Sequence, residues 1–256
     1  MANNEITTWF DELDSTNNAI LRDIGNLPSG AVYAAFYQTA GKGQRGNGWE
    51  SGRGDNLTFS ILFRPSALSA SRQFVISEVV ALGIAGYLAA KGIAAKIKWP
   101  NDIYVGDKKI CGILIENAVS GIMLKYSVVG IGFNLNQTRF LSDAPNPVSL
   151  KSLTRESYNL RQELELLLKH IFEEYDKVIP SAGQEEQFSK ATADLERRYT
   201  AMLYRLGEYH NYIDRRSGKT IRGRILGIAP NACLILESNK GTREEFAFKE
   251  IAYIIS

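Results

Sequence analysis

Lys98-Trp99-Pro100-Asn101-Asp102 is the stretch of this chain that says most about its fold. Proline fixes its own φ and disfavours helix for the residue before it, so a strand should run into Trp99 and end there in a defined direction. Asn101 and Asp102 then leave the end of that strand. An aspartate in such a place can hold Mg²⁺ or accept a proton from an incoming amine. The alternative is an ordinary turn with a solvated Lys98–Asp102 pair.

The residues around this stretch predict an antiparallel sheet. Four segments have strand-like composition: residues 95–99, 102–105, 109–116 and 124–135. Gly106-Asp107 supplies a turn between the second and the third of these segments. Because Lys109 follows this turn, its ammonium should return toward Asp102, where it would suit a phosphate or a carboxylate.

The remaining segments indicate a mixed domain followed by a smaller one. Ser15 or Thr16 is a natural N-cap for an amphipathic helix. Further elements are predicted as strands at 31–38 and 56–63, a buried helix at 71–91 that Gly92 ends, a loop at 139–150, and helices at 158–178 and 184–201. From residue 204 onward, short strands alternate with turn residues, which favours a small β-barrel. The predicted domains are residues 1–203 and 204–256.

Composition narrows the classes of function. A net charge of +2 is too small to predict general affinity for nucleic acid or membranes, so electrostatic binding must come from local clusters. The two cysteines lie far apart and indicate reduced thiols, and neither histidine has a metal-ligand pattern around it. We find no signal-peptide pattern and no apolar run of about 18 residues. The prediction is a soluble, cytoplasmic protein.

Gly41-Lys42-Gly43-Gln44-Arg45-Gly46-Asn47-Gly48-Trp49 is the second informative segment. Its glycines let backbone amides approach an anion closely, while Lys42 and Arg45 add positive charge. Three of the glycines fit G-x-G-x-x-G, but the dinucleotide fingerprint opens a helix, and here a predicted strand follows at Asn56. The motifs that accompany a kinase glycine loop are absent as well. The segment predicts a mobile cationic loop over an anionic small molecule rather than a plain surface hairpin.

Five motifs resemble, in order and spacing, those of biotin protein ligases. They are Asp14-Ser15-Thr16-Asn17, the segment 38–46, Lys98-Trp99-Pro100-Asn101-Asp102, the segment 109–116 and the segment 130–134. The resemblance covers the catalytic region and the small C-terminal barrel. It implies an α+β fold whose catalytic domain is like that of class II aminoacyl-tRNA synthetases, with a mixed, largely antiparallel sheet and helices. An SH3-like β-barrel should follow it.

The resemblance also implies a reaction. Such an enzyme activates biotin with Mg-ATP to biotinyl-5′-AMP, and then transfers biotin to a lysine of a biotin carboxyl carrier protein, for example in acetyl-CoA carboxylase. ATP and Mg²⁺ are the expected cofactors and biotin the substrate. No nucleic acid or membrane partner is expected, and exposed sheet edges would allow a homodimer.

The family's site residues fall on positions of this chain that match its motifs. The implied biotin-binding residues are Ser15, Thr16, Asn17, Gln38, Gly41, Lys42, Gly43, Gln44, Lys109, Gly112 and Ile113. Their short polar groups suit a ureido ring, which presents both donors and an acceptor. The implied ATP-binding residues are Lys42, Arg45, Gly46, Trp49, Asn101, Lys109 and Asn134. Catalytic roles fall on Lys109, Asp102, Lys42 and Arg45, with Asp102 beside the acceptor lysine and also the candidate metal ligand.

Two rival functions are weighed against this one. A lipoate or octanoate ligase or transferase of the same fold would need a long apolar tunnel, which polar Thr16 and Gln38 argue against. A catalytically inactive binding protein that senses biotin or its adenylate should have lost Lys109 or Asp102, and both are present.

Some members of the family begin with a DNA-binding domain. Here the motif at Asp14 starts almost at once, so a repressor role is not expected.

The glycine loop departs from the family pattern. Family loops are rich in arginine, whereas this chain has Lys42, Gln44 and Asn47 at three of those positions and keeps Arg45. Lysine lacks the bidentate fork of arginine, and glutamine carries no charge. We therefore expect this loop to hold the acyl-adenylate less tightly. Gln44→Arg should slow release of the adenylate in a rapid-filtration assay, and an unchanged release rate would contradict the expectation.

Overall fold

The computed structural model describes residues 7–43, 48–65, 67–141, 146–179 and 185–255. Within these ranges the chain forms an α+β fold with a mixed sheet and a second, antiparallel sheet. The first sheet contains β1 (Thr7–Phe10), β2 (Val32–Ala35), β3 (Leu57–Phe63), β4 (Lys96–Lys98), β5 (Asp102–Val105), β6 (Lys108–Ser120) and β7 (Met123–Phe133). Its order is β1-β2-β3-β7-β6-β5-β4, and β1 pairs parallel with β2 while the other pairs are antiparallel.

Helices cover this sheet, and the second sheet follows them in the chain. The helices are α1 (Thr16–Asp23), α2 (Phe74–Ala90), α3 (Leu150–Thr154), α4 (Leu160–Val178) and α5 (Glu185–Ala201). The second sheet contains β8 (Tyr209–Asp214), β9 (Lys219–Ile228), β10 (Leu234–Ser238), β11 (Arg243–Phe246) and β12 (Ile251–Tyr253). Its order is β11-β10-β9-β8-β12, with every pair antiparallel.

α2 is the central helix of the core. It is apolar on almost every side, which is the pattern of a helix buried on all sides, and it packs against α4, α5 and the sheet. The stretch Ala70–Ala90 is long and apolar enough to cross a membrane, although the sequence analysis found no such run. Sixty-one per cent of the most apolar part of this stretch is buried inside the protein, as expected for a core helix.

The one carboxyl group of α2, on Glu78, is buried. Burial, with a smaller effect of nearby Glu196, raises the pKa of Glu78 to about 8.

The predicted elements agree with the structure in type and differ at their edges. The four strands around Lys98-Trp99-Pro100-Asn101-Asp102 and the three long helices form as predicted. β1 was not predicted, and the strand predicted at 31–38 is shorter than expected. Ser15 occupies the N-cap position of α1, but its side chain makes no capping hydrogen bond. α3 begins at Leu150, where Ser149 Oγ accepts a hydrogen bond from Ser152 N at 3.1 Å.

Gly83 permits the close approach of α2 to α4. A Cβ at this position would lie 2.7 Å from Cα of Ile171, so one of the two helix backbones would have to shift. Overpacking of this kind costs about 1–3 kcal/mol, and we expect Gly83→Ala to lower the free energy of unfolding in urea by that amount.

Gly86 provides the matched control, because it lies in the same helix and a Cβ there would meet its nearest atom, on His170, at 3.5 Å. Alanine is about 1 kcal/mol better than glycine in a helix interior, so Gly86→Ala should be neutral or stabilising. Equal effects of the two substitutions would contradict the packing argument.

Candidate functional site

One cavity of about 430 Å³ lies between the start of α1, the segment around Trp49 and one face of the first sheet. Most of the residues predicted for the site line it: Ser15, Thr16, Asn17, Gln38, Lys42, Gly43, Trp49, Asn101, Asp102, Lys109, Gly112, Ile113 and Asn134. Gly41 does not line the cavity, but its carbonyl accepts a hydrogen bond from Trp49 N at 2.9 Å. Gln44, Arg45 and Gly46 lie outside the described residues.

Glycines form the floor of this cavity. Gly112 on β6 pairs with Gly132 on β7, and Gly130 lies two residues before Gly132 on the same face of the sheet. A Cβ at Gly130 would lie 2.4 Å from Oδ1 of Asn17, and one at Gly132 would lie 2.2 Å from the indole of Trp49. The floor therefore has room for Asn17 and Trp49 because these positions carry no side chain.

One end of the cavity is lined by neutral polar side chains that a partly buried hydrogen-bond network holds in place. Gln38 Oε1 accepts hydrogen bonds from Thr16 N at 2.7 Å and from Thr16 Oγ1 at 3.2 Å. Ser60 Oγ on β3 lies 2.7 Å from Thr16 Oγ1 and 2.5 Å from Asn17 Oδ1. Asn17 Nδ2 donates to Glu116 Oε2 at 2.7 Å. Because these groups hold one another, they present fixed donors and acceptors to a polar ligand.

The other end of the cavity is charged. Lys109 Nζ lies 2.7 Å from Asp102 Oδ1, so the chain does return across its turn as predicted. Lys98 Nζ lies 3.7 Å from Asp102 Oδ2. Burial lowers the pKa of the Lys98 ammonium, Asp102 acts in the opposite direction, and Lys109 lowers it further. The carboxylate of Asp102 is therefore shared by two ammonium groups.

At the charged end, the side chains of two asparagines donate hydrogen bonds to backbone carbonyls of β6. Asn101 Nδ2 donates to the carbonyl of Ile113 at 2.7 Å, and Ile113 N donates to the carbonyl of Asn101 at 2.9 Å. Asn134 Nδ2 donates to the carbonyl of Lys109 at 3.3 Å. Both asparagines therefore hold β6 beside its neighbours while their side chains line the cavity.

Trp49 lies between the two ends of the cavity. Its indole rests over the glycine floor, and Lys109 Nζ lies 5.6 Å from the ring centroid, within the range of a cation–π contact. Its Nε1 is buried and has no hydrogen-bond partner within the described ranges. A buried donor without a partner is costly, so a ligand acceptor at this place would be stabilised.

Lys42 lines the cavity as predicted, but its contact with α1 was not predicted from the sequence. Its Nζ donates to Asn18 Oδ1 on α1 at 2.5 Å, so the ammonium lies on the α1 side in this structure. Ser60 and Glu116 support the polar end, and Phe59 and Leu114 also line the cavity, but none of the four was assigned to the site. The alternation of β3 and the glycines spaced by two on β7 were the available signals for a polar, accessible sheet face.

A protein-held metal ion does not fit Asp102, although the sequence made it the metal candidate. Two ammonium groups already approach the two oxygens of its carboxylate. In the part of the chain that the structure describes, no group of three His, Cys, Asp or Glu side chains could hold a metal ion. Mg²⁺ is usually bound by few carboxylates together with substrate phosphates, and this carboxylate is already held by two ammonium groups.

Comparison with known proteins finds a family whose pattern this chain shares. The model of the biotin/lipoate A/B protein ligase family matches residues 9–134, which include the polar end, the glycine floor and the charged end. The matched residues, just under half of the chain, have the sequence pattern of this family.

The relatives within this family are biotin protein ligases. The chain is 29% identical to the biotin–[acetyl-CoA-carboxylase] ligase of Paracoccus denitrificans, with 89% of this chain and 92% of that protein covered. It is also 29% identical to the bifunctional ligase/repressor BirA of Bacillus subtilis, covering 87% of this chain. The match spans 66% of that relative, which is less than two thirds of its length.

A solved structure shares the fold. The biotin protein ligase of Aquifex aeolicus in complex with biotin and ATP aligns with a TM-score of 0.77 at 24% identity. The alignment covers 98% of this chain and 99% of that chain. The arrangement of two sheets described above is therefore that of a solved biotin protein ligase.

Gly132→Ala tests whether the indole of Trp49 rests on the glycine floor. Because an added Cβ would lie 2.2 Å from Cε2 of Trp49, the ring must move away from the sheet. In protein labelled with 5-fluorotryptophan, we expect the fluorine resonance of Trp49 to shift while those of the other two tryptophans stay in place.

Gly48→Ala is the control, since an added Cβ there would meet the nearest atom, the carbonyl oxygen of Gly41, at 3.7 Å. If Gly132→Ala leaves the Trp49 resonance unchanged, the indole does not contact the sheet at Gly132.

Proposed function

We propose that this chain is a biotin protein ligase that makes biotinyl-5′-AMP from biotin and Mg·ATP and transfers biotin to a lysine of a carrier protein. The observation that carries the proposal is the division of one cavity into a neutral polar end and a cationic end. A ureido ring needs the first, and a carboxylate that becomes a phosphoanhydride needs the second. The match to the biotin/lipoate ligase family supports the cationic end, and the similarity to a biotin ligase supports the polar end.

Within this proposal the two sheets belong to two domains. Residues 1–203 form the catalytic domain, with an architecture like that of class II aminoacyl-tRNA synthetases. Residues 204–256 form an SH3-like barrel, which the five antiparallel strands of the second sheet support. The catalytic domain contains every described residue that lines the cavity.

The polar end receives the ureido ring of biotin. Thr16, Asn17 and Gln38 are held by one another, by Ser60 and by Glu116, so their remaining donors and acceptors are oriented before biotin arrives. A preorganised site loses less conformational entropy on binding. The valeryl chain then runs along Gly112 and Ile113 toward the charged end.

Adenylation takes place at the charged end. A carboxylate oxygen of biotin attacks the α-phosphorus of Mg·ATP, a new P–O bond forms, and the bond to the departing pyrophosphate breaks. Negative charge develops on the phosphoryl oxygens, where Lys109 supplies a fixed positive charge. Asn101, Asn134 and Trp49 line the nucleotide side, and Lys42 and Arg45 belong to the loop that closes over the adenylate.

Transfer then takes place at the carbonyl carbon of the biotinyl group. The ε-amine of the carrier lysine attacks the acyl carbon, a C–N bond forms, and the C–O bond to AMP breaks. The amine nitrogen must lose a proton, and Asp102 is placed beside Lys109 to accept it or to orient the amine. The carrier is a biotin carboxyl carrier protein, as in the acetyl-CoA carboxylase named for the Paracoccus denitrificans relative.

One experiment separates this function from its rivals. Purified protein is incubated with ATP, Mg²⁺ and a biotin carboxyl carrier domain, in parallel with labelled biotin and labelled octanoate. We expect label on the carrier lysine with biotin, pyrophosphate release that depends on biotin, and neither with octanoate. Transfer of octanoate would instead indicate the lipoyl branch of the family, and tight binding of biotin without pyrophosphate release would indicate a sensor.

Lys109→Ala should affect the first half-reaction most strongly. Removing a donor that stabilises charge in a transition state commonly lowers kcat by about 10²–10³, and we expect a loss of this size in biotin-dependent ATP–pyrophosphate exchange. Lys108→Ala is the matched control, because Lys108 is exposed on the same strand and does not line the cavity. Normal pyrophosphate exchange by Lys109→Ala would refute the assignment.

A further inference from the structure

Lys98 is a partly buried lysine that does not line the cavity. Its side chain is 18% exposed, and Nζ lies 5.1 Å from the ring centroid of Tyr104 and 4.9 Å from that of Tyr253. Tyr104 belongs to β5 of the first sheet, whereas Tyr253 belongs to β12 of the second sheet. The ammonium of Lys98 is therefore enclosed by one aromatic face from each sheet, which offsets part of its lost hydration.

The ion-pair partner of this ammonium is Asp102, the carboxylate proposed to handle the acceptor amine. Lys98 lies near Oδ2 and Lys109 lies near Oδ1, so each lysine approaches a different oxygen. Lys109 also faces the cavity, where the adenylate phosphate competes for its ammonium. Lys98 faces no such competitor, and it can hold the carboxylate in place while Lys109 contacts the phosphate.

We propose that Lys98 is a positioning residue for the transfer step, and that Tyr253 of the second sheet keeps it in place against Asp102. This inference rests on the proposed function, because it assigns a task to Asp102 in that reaction. It gives the C-terminal sheet a part in catalysis without any contact between that sheet and the cavity. Lys98 acts through Asp102 and touches no substrate.

A second contact ties the same motif to the second sheet. Trp99, which follows Lys98, donates from Nε1 to the carbonyl of Ala232 at 3.2 Å. Lys98, the last residue of β4, thus contacts β12. Trp99, the next residue, contacts the turn before β10. The second sheet fixes the direction in which the chain leaves β4 toward Asp102.

Tyr253 contributes its ring rather than its hydroxyl to this arrangement. Its hydroxyl is buried and has no hydrogen-bond partner in the described part of the chain. A buried hydroxyl without a partner contributes nothing favourable, so loss of the oxygen alone should not weaken the enclosure of Lys98. Loss of the ring removes one aromatic face from the ammonium.

The test separates the two half-reactions in the 256-residue chain. Adenylation is measured as biotin-dependent ATP–pyrophosphate exchange. Transfer is measured by mixing enzyme that already holds biotinyl-5′-AMP with a biotin carboxyl carrier domain in a rapid-quench instrument. We expect Lys98→Met to slow transfer by about 10- to 100-fold, the effect of misplacing a catalytic group by about 1 Å, and to change exchange less than threefold.

Lys96→Met is the matched control, because Lys96 is exposed on the same strand and donates from Nζ to the carbonyl of Ala201. It should leave both rates unchanged. Lys98→Arg keeps the positive charge and should recover part of the transfer rate, which a purely structural role of Lys98 would not require.

The tyrosine gives an independent measurement if Lys98→Met proves unstable. Tyr253→Leu should slow transfer as Lys98→Met does, and Tyr253→Phe should retain the wild-type rate. Equal slowing of exchange and transfer by Lys98→Met and Tyr253→Leu would overturn the inference, as would an unchanged transfer rate. Wild-type protein that performs neither half-reaction with biotin would instead refute the proposed function, so the two failures remain distinguishable.

Discussion

The whole site depends on three glycines, Gly112, Gly130 and Gly132, because they have no side chain. Two hydrogen-bonded strands carry these glycines on one face, and a methyl group at any of the three would lie within 3.0 Å of Asn17 or Trp49. A sheet face normally buries its side chains against a helix. Here the start of α1 and the indole approach the backbone of the sheet itself. The depth of the cavity is therefore set by backbone geometry rather than by flexible side chains.

Much of this arrangement could be predicted from the sequence because it rests on local chemistry. Alternating residues, the Gly106-Asp107 turn and the proline of Lys98-Trp99-Pro100-Asn101-Asp102 predict the strands that meet around Asp102. The periodicity of residues 71–91 predicts α2, and Gly92, with φ of +74°, follows its end as expected. The order of five motifs then predicts which residues share one cavity, and thirteen of those residues line it.

The rest depends on contacts between residues far apart in the chain. β1 is too short to show a period, and it forms because β2 lies beside it. Ser60 and Glu116 look like ordinary strand residues until α1 places Asn17 between them. The bond from Lys42 to Asn18 depends on how the glycine loop folds back on α1. Propensity and pattern do not encode such pairings, since tertiary contacts decide them.

The charged end also explains why a ligand with a phosphate suits this cavity better than a neutral one. Two ammonium groups, of Lys98 and Lys109, surround one carboxylate, so the cluster has one positive charge in excess when both lysines are protonated. Burying an uncompensated charge is expensive, and the rings of Tyr104 and Tyr253 offset the cost for Lys98 alone. Lys109 is compensated by Asp102 and lies open to the cavity. A phosphate bound at Lys109 balances the excess positive charge of the cluster, and an uncharged ligand leaves the imbalance in place.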